Sequence, residues 1–168
     1  FQIITLNNKY MNRSLSIMAL IASIYSSSAL GEQASSVPVM SHPVSNEGII
    51  VHCQGNGPPL YLIVGGPAFT SKHLATIQQQ LQDSFTVCRW DMRGVGDNAG
   101  LPMRPDRTVL SQWLEDMETV LPPEPVVLWG HSWGALQVLL FARDRPHRVR
   151  RLILSNPVDP GLRSLEDI

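Results

Sequence analysis

Few folds accommodate the pentapeptide Gly130-His131-Ser132-Trp133-Gly134 together with its flanks. A fully apolar run, Val126–Trp129, precedes it, and the segment 132–144 has the composition of a helix. A serine between two glycines at a strand-to-helix junction matches the G-x-S-x-G nucleophile elbow, whose sharp turn lifts the hydroxyl clear of the sheet. The pattern predicts that Ser132 is a nucleophile. The alternative is an ordinary turn whose serine caps the helix.

The segments around this motif alternate between strand and helix patterns. Such an alternation builds a mostly parallel sheet with helices on both faces, so we expect an α/β fold with its chemistry at the carboxyl ends of the strands. We predict strands at 48–53, 60–64, 85–90, 126–129 and 152–155, and helices at 71–81 (capped by Ser71), 108–121 and 132–144.

Two further motifs follow predicted strands. In Gly65-Gly66-Pro67, the paired glycines let the backbone approach a substrate oxygen. We expect the N–H groups of Gly66 and Trp133 to form an oxyanion hole, since Pro67 has no N–H to offer. In the motif from Asp91 to Gly96, Asp91 and Arg93 can pair and hold a tight turn. We interpret these two as structural residues beside the site.

The order of these three motifs resembles the N-terminal half of the α/β-hydrolase superfamily, and most closely the proline iminopeptidase group. The resemblance runs from about Gly48 to Asp159 and implies a truncated α/β-hydrolase fold without the lid and C-terminal strands. It implies a serine hydrolase that acts on an ester, amide or peptide bond through an acyl-enzyme on Ser132. Val64 and Ala68 stand where that group has His and Gly in its loop.

The same resemblance places the catalytic acid and then the histidine after the nucleophile. Asp159 is a candidate acid because it follows the strand at 152–155; the alternative is a turn residue. The only later histidine, His147, is expected in a solvated loop at the opposite end of the sheet. The chain therefore looks like a fragment of a hydrolase. The alternative is a non-catalytic remnant or binding module of the same fold.

The first 46 residues have a different character. Residues 1–10 look like a non-native or upstream extension, 11–31 has the three parts of a signal peptide, and 32–46 is a linker. The hydrolase half then occupies 47–168. We therefore expect a secreted or periplasmic protein without a stable membrane anchor. In that compartment Cys53 and Cys88 can form a disulfide, or they can be two small buried residues.

Composition sets the remaining expectations. With 43% hydrophobic residues, 16% charged residues and a net charge of −1, the chain can bury a core and shows no nucleic-acid-binding character. No Cys and His spacing indicates a metal site, no cofactor is implied, and a serine nucleophile argues against epoxide-hydrolase chemistry. The partner we expect is a small-molecule or peptide substrate. The strand at 152–155 would be an exposed apolar edge open to association.

Overall fold

The computed structural model of the protein describes residues 2–5, 40–43 and 48–158, with side chains for 48–158. All of them belong to one compact unit. The predicted signal peptide, most of the predicted linker and Asp159 lie outside the described residues.

Seven strands of the described chain form one sheet. Its order is β1-β7-β6-β4-β5-β3-β2, and the four strands β7, β6, β4 and β5 run parallel. This confirms the predicted α/β fold with a mostly parallel sheet. The strands are β1 (Gln2–Thr5), β2 (Met40–Pro43), β3 (Ile50–Gln54), β4 (Pro59–Ile63), β5 (Thr86–Trp90), β6 (Val126–His131) and β7 (Val149–Ser155).

Three helices connect the parallel strands: α1 (Ala75–Leu81), α2 (Val109–Val120) and α3 (Trp133–Asp144). Thr108 caps α2 by accepting a hydrogen bond from the Ser111 N–H. The predicted Ser71 cap is wrong. Ser71 begins a short 3₁₀ turn before α1, and its buried hydroxyl accepts a hydrogen bond from Arg89 instead.

Burial follows the apolar runs of the sequence. Leu62 and Ile63 of β4 and Leu128 of β6 are fully buried, as expected for parallel strands covered on both faces. Trp113, Met117 and Val120 form the buried face of α2 with the spacing of an amphipathic helix. The core therefore lies around the central strands that lead to the predicted site.

Both edges of the sheet differ from expectation. The prediction of an unpaired edge at β7 is wrong, because β1 pairs antiparallel with it from Gln2↔Leu154 to Thr5↔Arg151 and covers these four residues of the edge. At the other edge, β2 lies inside the segment interpreted as a linker and pairs antiparallel with β3. Short segments outside the hydrolase-like half thus extend the sheet on each side.

Cys53 and Cys88 face each other across β3 and β5 and form a disulfide, with a Cα–Cα distance of 4.0 Å. Of the two interpretations left open by the sequence, the bonded pair is the one that the structure has. The bond ties the antiparallel strand β3 to the parallel part of the sheet. None of the helices in the described ranges is long and apolar enough to cross a membrane.

Candidate active site

Ser132 lies at the turn between β6 and α3 with backbone angles of φ 52° and ψ −117°. An L-residue adopts this conformation at a cost of roughly 1–3 kcal/mol, which the surrounding structure must offset. Its side chain makes no capping hydrogen bond to the helix. The capping interpretation is therefore wrong, and among residues 48–158 the Ser132 hydroxyl, at the carboxyl end of the strand, has no hydrogen-bond partner.

The glycines of the motif allow this turn by close packing. A methyl group at Gly134 would lie 2.3 Å from the Ile63 carbonyl oxygen, and one at Gly130 would lie 2.4 Å from the Gly134 carbonyl oxygen. Both distances are far below van der Waals contact. The elbow is thus pressed against the end of β4, where the glycine loop begins.

That loop lies directly against the serine. A methyl group at Gly65 would be 3.0 Å from the Ser132 Cβ and 2.8 Å from the His131 carbonyl oxygen. The next residue, Gly66, has a positive φ of 64°, which a residue with a side chain rarely adopts. Trp133 is the first residue of α3, so its N–H has no acceptor within the helix. The structure thus brings Ser132 together with the loop that carries Gly66.

His131 and Ser155 close the other side of the elbow. The Ser132 N–H donates to the Ser155 carbonyl oxygen at 2.9 Å, which links the turn to the end of β7. The His131 Nδ1 lies 3.3 Å from the Ser155 Oγ, and the imidazole stacks on Trp129 at an angle of 19°. Sequence reasoning missed Ser155. The one signal that could have identified it is its position as a serine at the end of an apolar strand.

Asp91 and Arg93 follow β5 and are held by separate contacts. Asp91 is buried and accepts hydrogen bonds from the N–H groups of Ser71 (2.5 Å) and Asp97 (2.8 Å). Arg93 is held by Asp116 of α2 in a bidentate pair, with Nε–Oδ2 at 3.0 Å and Nη2–Oδ1 at 2.6 Å. Asp116 was not singled out from the sequence, since a single acid in an amphipathic helix resembles a solvated residue.

No histidine side chain of residues 48–158 hydrogen-bonds to the Ser132 hydroxyl. His52 pairs with Asp97 at 2.7 Å, but it lies on β3, three strands from β6, which is about 14 Å at ~4.8 Å per strand. His73 is exposed and packs edge-on against Phe69. His147 is exposed before β7, at the end of the sheet away from the elbow, as predicted.

One of the shifted pKa values belongs to Arg89 of β5. Burial lowers the pKa of the Arg89 guanidinium, and the charges of Asp91 and Asp97 partly offset this effect. Within the described ranges, no group of three or more His, Cys, Asp or Glu residues is arranged to hold a metal ion.

A parallel sheet with a strained serine between strand and helix, packed against a glycine loop, defines the class of hydrolase-type α/β folds. Comparison with known proteins agrees. The sequence profile of the alpha/beta hydrolase fold matches residues 58–167, and the chain belongs to this family.

The matches to individual relatives cover only part of this chain and part of each relative. The chain is 31% identical over 112 residues to a proline iminopeptidase of Clostridium botulinum, covering 64% of this chain and 38% of the relative. It is 29% identical over 129 residues to a soluble epoxide hydrolase of Corynebacterium sp., covering 76% and 44%. The structure resembles an alpha/beta hydrolase from Sphaerobacter thermophilus with a TM-score of 0.55 and 28% identity, covering 66% and 42%. The chain thus spans about two fifths of the length of these proteins.

Proposed function

We propose that this chain is the nucleophile-bearing half of a serine hydrolase that cleaves an ester or amide bond, in the manner of a proline iminopeptidase. The observation that carries the proposal is the conformation of Ser132, whose positive φ places an uncapped hydroxyl beside the Gly65–Gly66 loop. The family membership and the iminopeptidase relative support the same reaction class.

In the proposed reaction the Ser132 Oγ attacks the substrate carbonyl carbon, and its proton passes to a general base. The carbonyl π electrons move to the oxygen, which the N–H groups of Gly66 and Trp133 stabilise. Collapse of this intermediate expels the alcohol or amine, which takes the proton. Water then cleaves the resulting ester on Ser132 and releases the acid.

We assign the general base to the remainder of the parent hydrolase, because no histidine of residues 48–158 bonds to the serine. The chain covers 38% of the iminopeptidase relative, and the base would come from the part that it does not match. Asp159 stays the candidate acid within this chain. The Cys53–Cys88 disulfide is consistent with export to an oxidising compartment.

A serine nucleophile favours acyl transfer over the epoxide opening named for the Corynebacterium relative. The second candidate is a folded half that binds without turnover. The absence of a histidine on the Ser132 hydroxyl within 48–158 favours it.

A fluorophosphonate probe separates the two candidates. Under the first, the raised hydroxyl and the oxyanion donors support slow labelling of the wild-type chain even without its base, Ser132→Ala is not labelled, and the exposed-serine control Ser84→Ala is labelled like wild type. Circular dichroism establishes that each sample is folded. A folded wild type that takes no label supports the binding module and contradicts the nucleophile.

A further inference from the structure

We infer that His131 binds substrate, donating a hydrogen bond from its Nε2 to an oxygen acceptor on the acyl group held at Ser132. The inference rests on the proposed function of Ser132 and adds the chemical class of its acyl group. It starts from the position of the imidazole over the carboxyl ends of three neighbouring strands.

The geometry places the ring inside the site. His131 is the last residue of β6 and directly precedes Ser132. Its Nδ1 lies 3.3 Å from the Ser155 Oγ at the end of β7, while its Cδ2 would lie 3.0 Å from a methyl group on Gly65, at the end of β4. The ring therefore spans from β7 to the glycine loop. Since Cδ2 adjoins Nε2 in the ring, the Nε2 side is the one near that loop.

The Ser155 hydroxyl decides which nitrogen carries the proton. Ser155 is 6% exposed, and its contact with Nδ1 is the one hydrogen bond that its hydroxyl makes within residues 48–158. We assign the Ser155 O–H as the donor to Nδ1, because a buried hydroxyl needs an acceptor for its proton and Nδ1 is the one described partner of this hydroxyl. In the neutral imidazole the proton is then on Nε2. His131 thereby presents an N–H donor beside the loop that carries Gly66.

This donor has no protein acceptor in the described segments, and His131 is only half-buried. An acyl group that carries a carbonyl or ether oxygen can accept from it. An acyl group whose chain carries no oxygen besides the reacting carbonyl cannot, and it would leave the His131 N–H without a partner. The inferred specificity is therefore for oxygen-bearing acyl groups. Packing against Trp129 alone is the competing explanation for a histidine at this position.

The first test compares two esters of matched length, p-nitrophenyl 4-oxopentanoate and p-nitrophenyl pentanoate. The rate of Ser132 acylation is measured by p-nitrophenolate release and by intact mass. The rate with the keto ester, divided by the rate with the pentanoate ester, is then compared between wild type and variants. A neutral hydrogen bond of about 1 kcal/mol corresponds to a roughly fivefold change in this ratio. We expect the ratio to fall about three- to tenfold in His131→Asn.

The matched variant is His131→Gln. A glutamine amide nitrogen reaches the position of Nε2, whereas the asparagine amide reaches only that of Nδ1. We expect His131→Gln to keep most of the wild-type ratio. An unchanged ratio in His131→Asn, or equal losses in the two variants, would leave packing as the role of the ring and overturn the inference.

The second test is independent of catalysis and uses Ser132→Ala protein labelled with ¹⁵N-histidine, in which His131→Asn identifies the signal. We expect Nε2 to be protonated and its signal to shift with 4-oxopentanamide but not with pentanamide. Ser155→Ala should remove the tautomer preference, and Ser155→Thr should retain it. A signal that does not respond to the keto amide overturns the inference, even if fluorophosphonate labelling succeeds. A specific shift without labelling would instead contradict only the proposed nucleophile.

Discussion

The Ser132 N–H donates a 2.9 Å hydrogen bond to the Ser155 carbonyl oxygen, and this bond ties the strained turn of the elbow to the neighbouring strand. Ser132 holds a positive φ that is costly for a residue with a side chain. Such a conformation persists only where its surroundings fix it from several sides. Here the fixing contacts are the Ser155 carbonyl on one side and the packed glycines on the other.

Gly134→Ala should disrupt the elbow. The added methyl group would lie 2.3 Å from the Ile63 carbonyl oxygen and 2.6 Å from that of Val64, so α3 must move away from β4. We expect destabilisation of about 1–3 kcal/mol in chemical denaturation, together with loss of fluorophosphonate labelling. Gly100→Ala is the matched control, because nothing lies within 4 Å of its added methyl group. Equal stability of the two variants would contradict the packing described for the elbow.

Asp116→Ala should be among the most destabilising single substitutions. Arg93 and Asp116 are each about 5% exposed, and removal of the carboxylate leaves a buried guanidinium without its bidentate partner. We expect a loss of about 3–5 kcal/mol in the free energy of unfolding, measured with urea. Asp144→Ala removes one partner of the exposed Arg143 pair and should cost less than about 1 kcal/mol. A small effect at position 116 would contradict the importance of this pair and show that other contacts of Arg93 offset its charge.

The elbow and the succession of strands and helices along the chain could be predicted from sequence because both depend on local patterns. Apolar runs mark the strands, and two glycines around a serine mark the turn. The pairing of β1 with β7 could not be predicted, because it joins segments about 150 residues apart through backbone atoms. The Arg93–Asp116 pair and the Ser155–His131 contact are likewise formed by tertiary packing between separate elements. Local spacing carries no record of such contacts.

Reduction of the disulfide should lower the melting temperature. The Cys53–Cys88 bond closes a loop with a sequence separation of 35, for which loop-closure entropy gives about 4 kcal/mol. We expect dithiothreitol to lower the transition in differential scanning calorimetry by several degrees. The double variant Cys53→Ser, Cys88→Ser should melt at the reduced temperature and show no response to dithiothreitol. A response in that variant would indicate an effect of the reagent elsewhere.

Glu118→Gln should lower the free energy of unfolding only at pH values at which the Glu118 carboxylate is charged. A hydrogen bond from Arg145 lowers the pKa of Glu118 in the folded state, and the charges of Arg145 and Arg148 add to this effect. The resulting stabilisation is complete above the pKa of the unfolded chain and is lost as pH falls through the lower pKa of the folded state. Because Glu118 is 45% exposed, we expect less than about 1 kcal/mol at pH 7 and no difference from wild type in strong acid. Urea titrations at several pH values measure this, and a difference that persists in strong acid would contradict it.

The pairing of β1 with β7 predicts that residues 2–5 protect the sheet from self-association. β7 is an apolar strand whose Leu152 and Leu154 are 2% and 1% exposed. Without β1, its edge would be unpaired, and an apolar unpaired edge invites pairing with a second copy. Replacing Ile3 and Ile4 together by proline removes two backbone N–H groups and prevents regular pairing of this strand. We expect sedimentation velocity to show concentration-dependent oligomers for the proline variant. The control replaces both residues by valine, which keeps the N–H groups, and should have the same association state as the wild type. A proline variant that sediments like wild type at every concentration would mean that the β7 edge needs no cover, and association through it would then have no support.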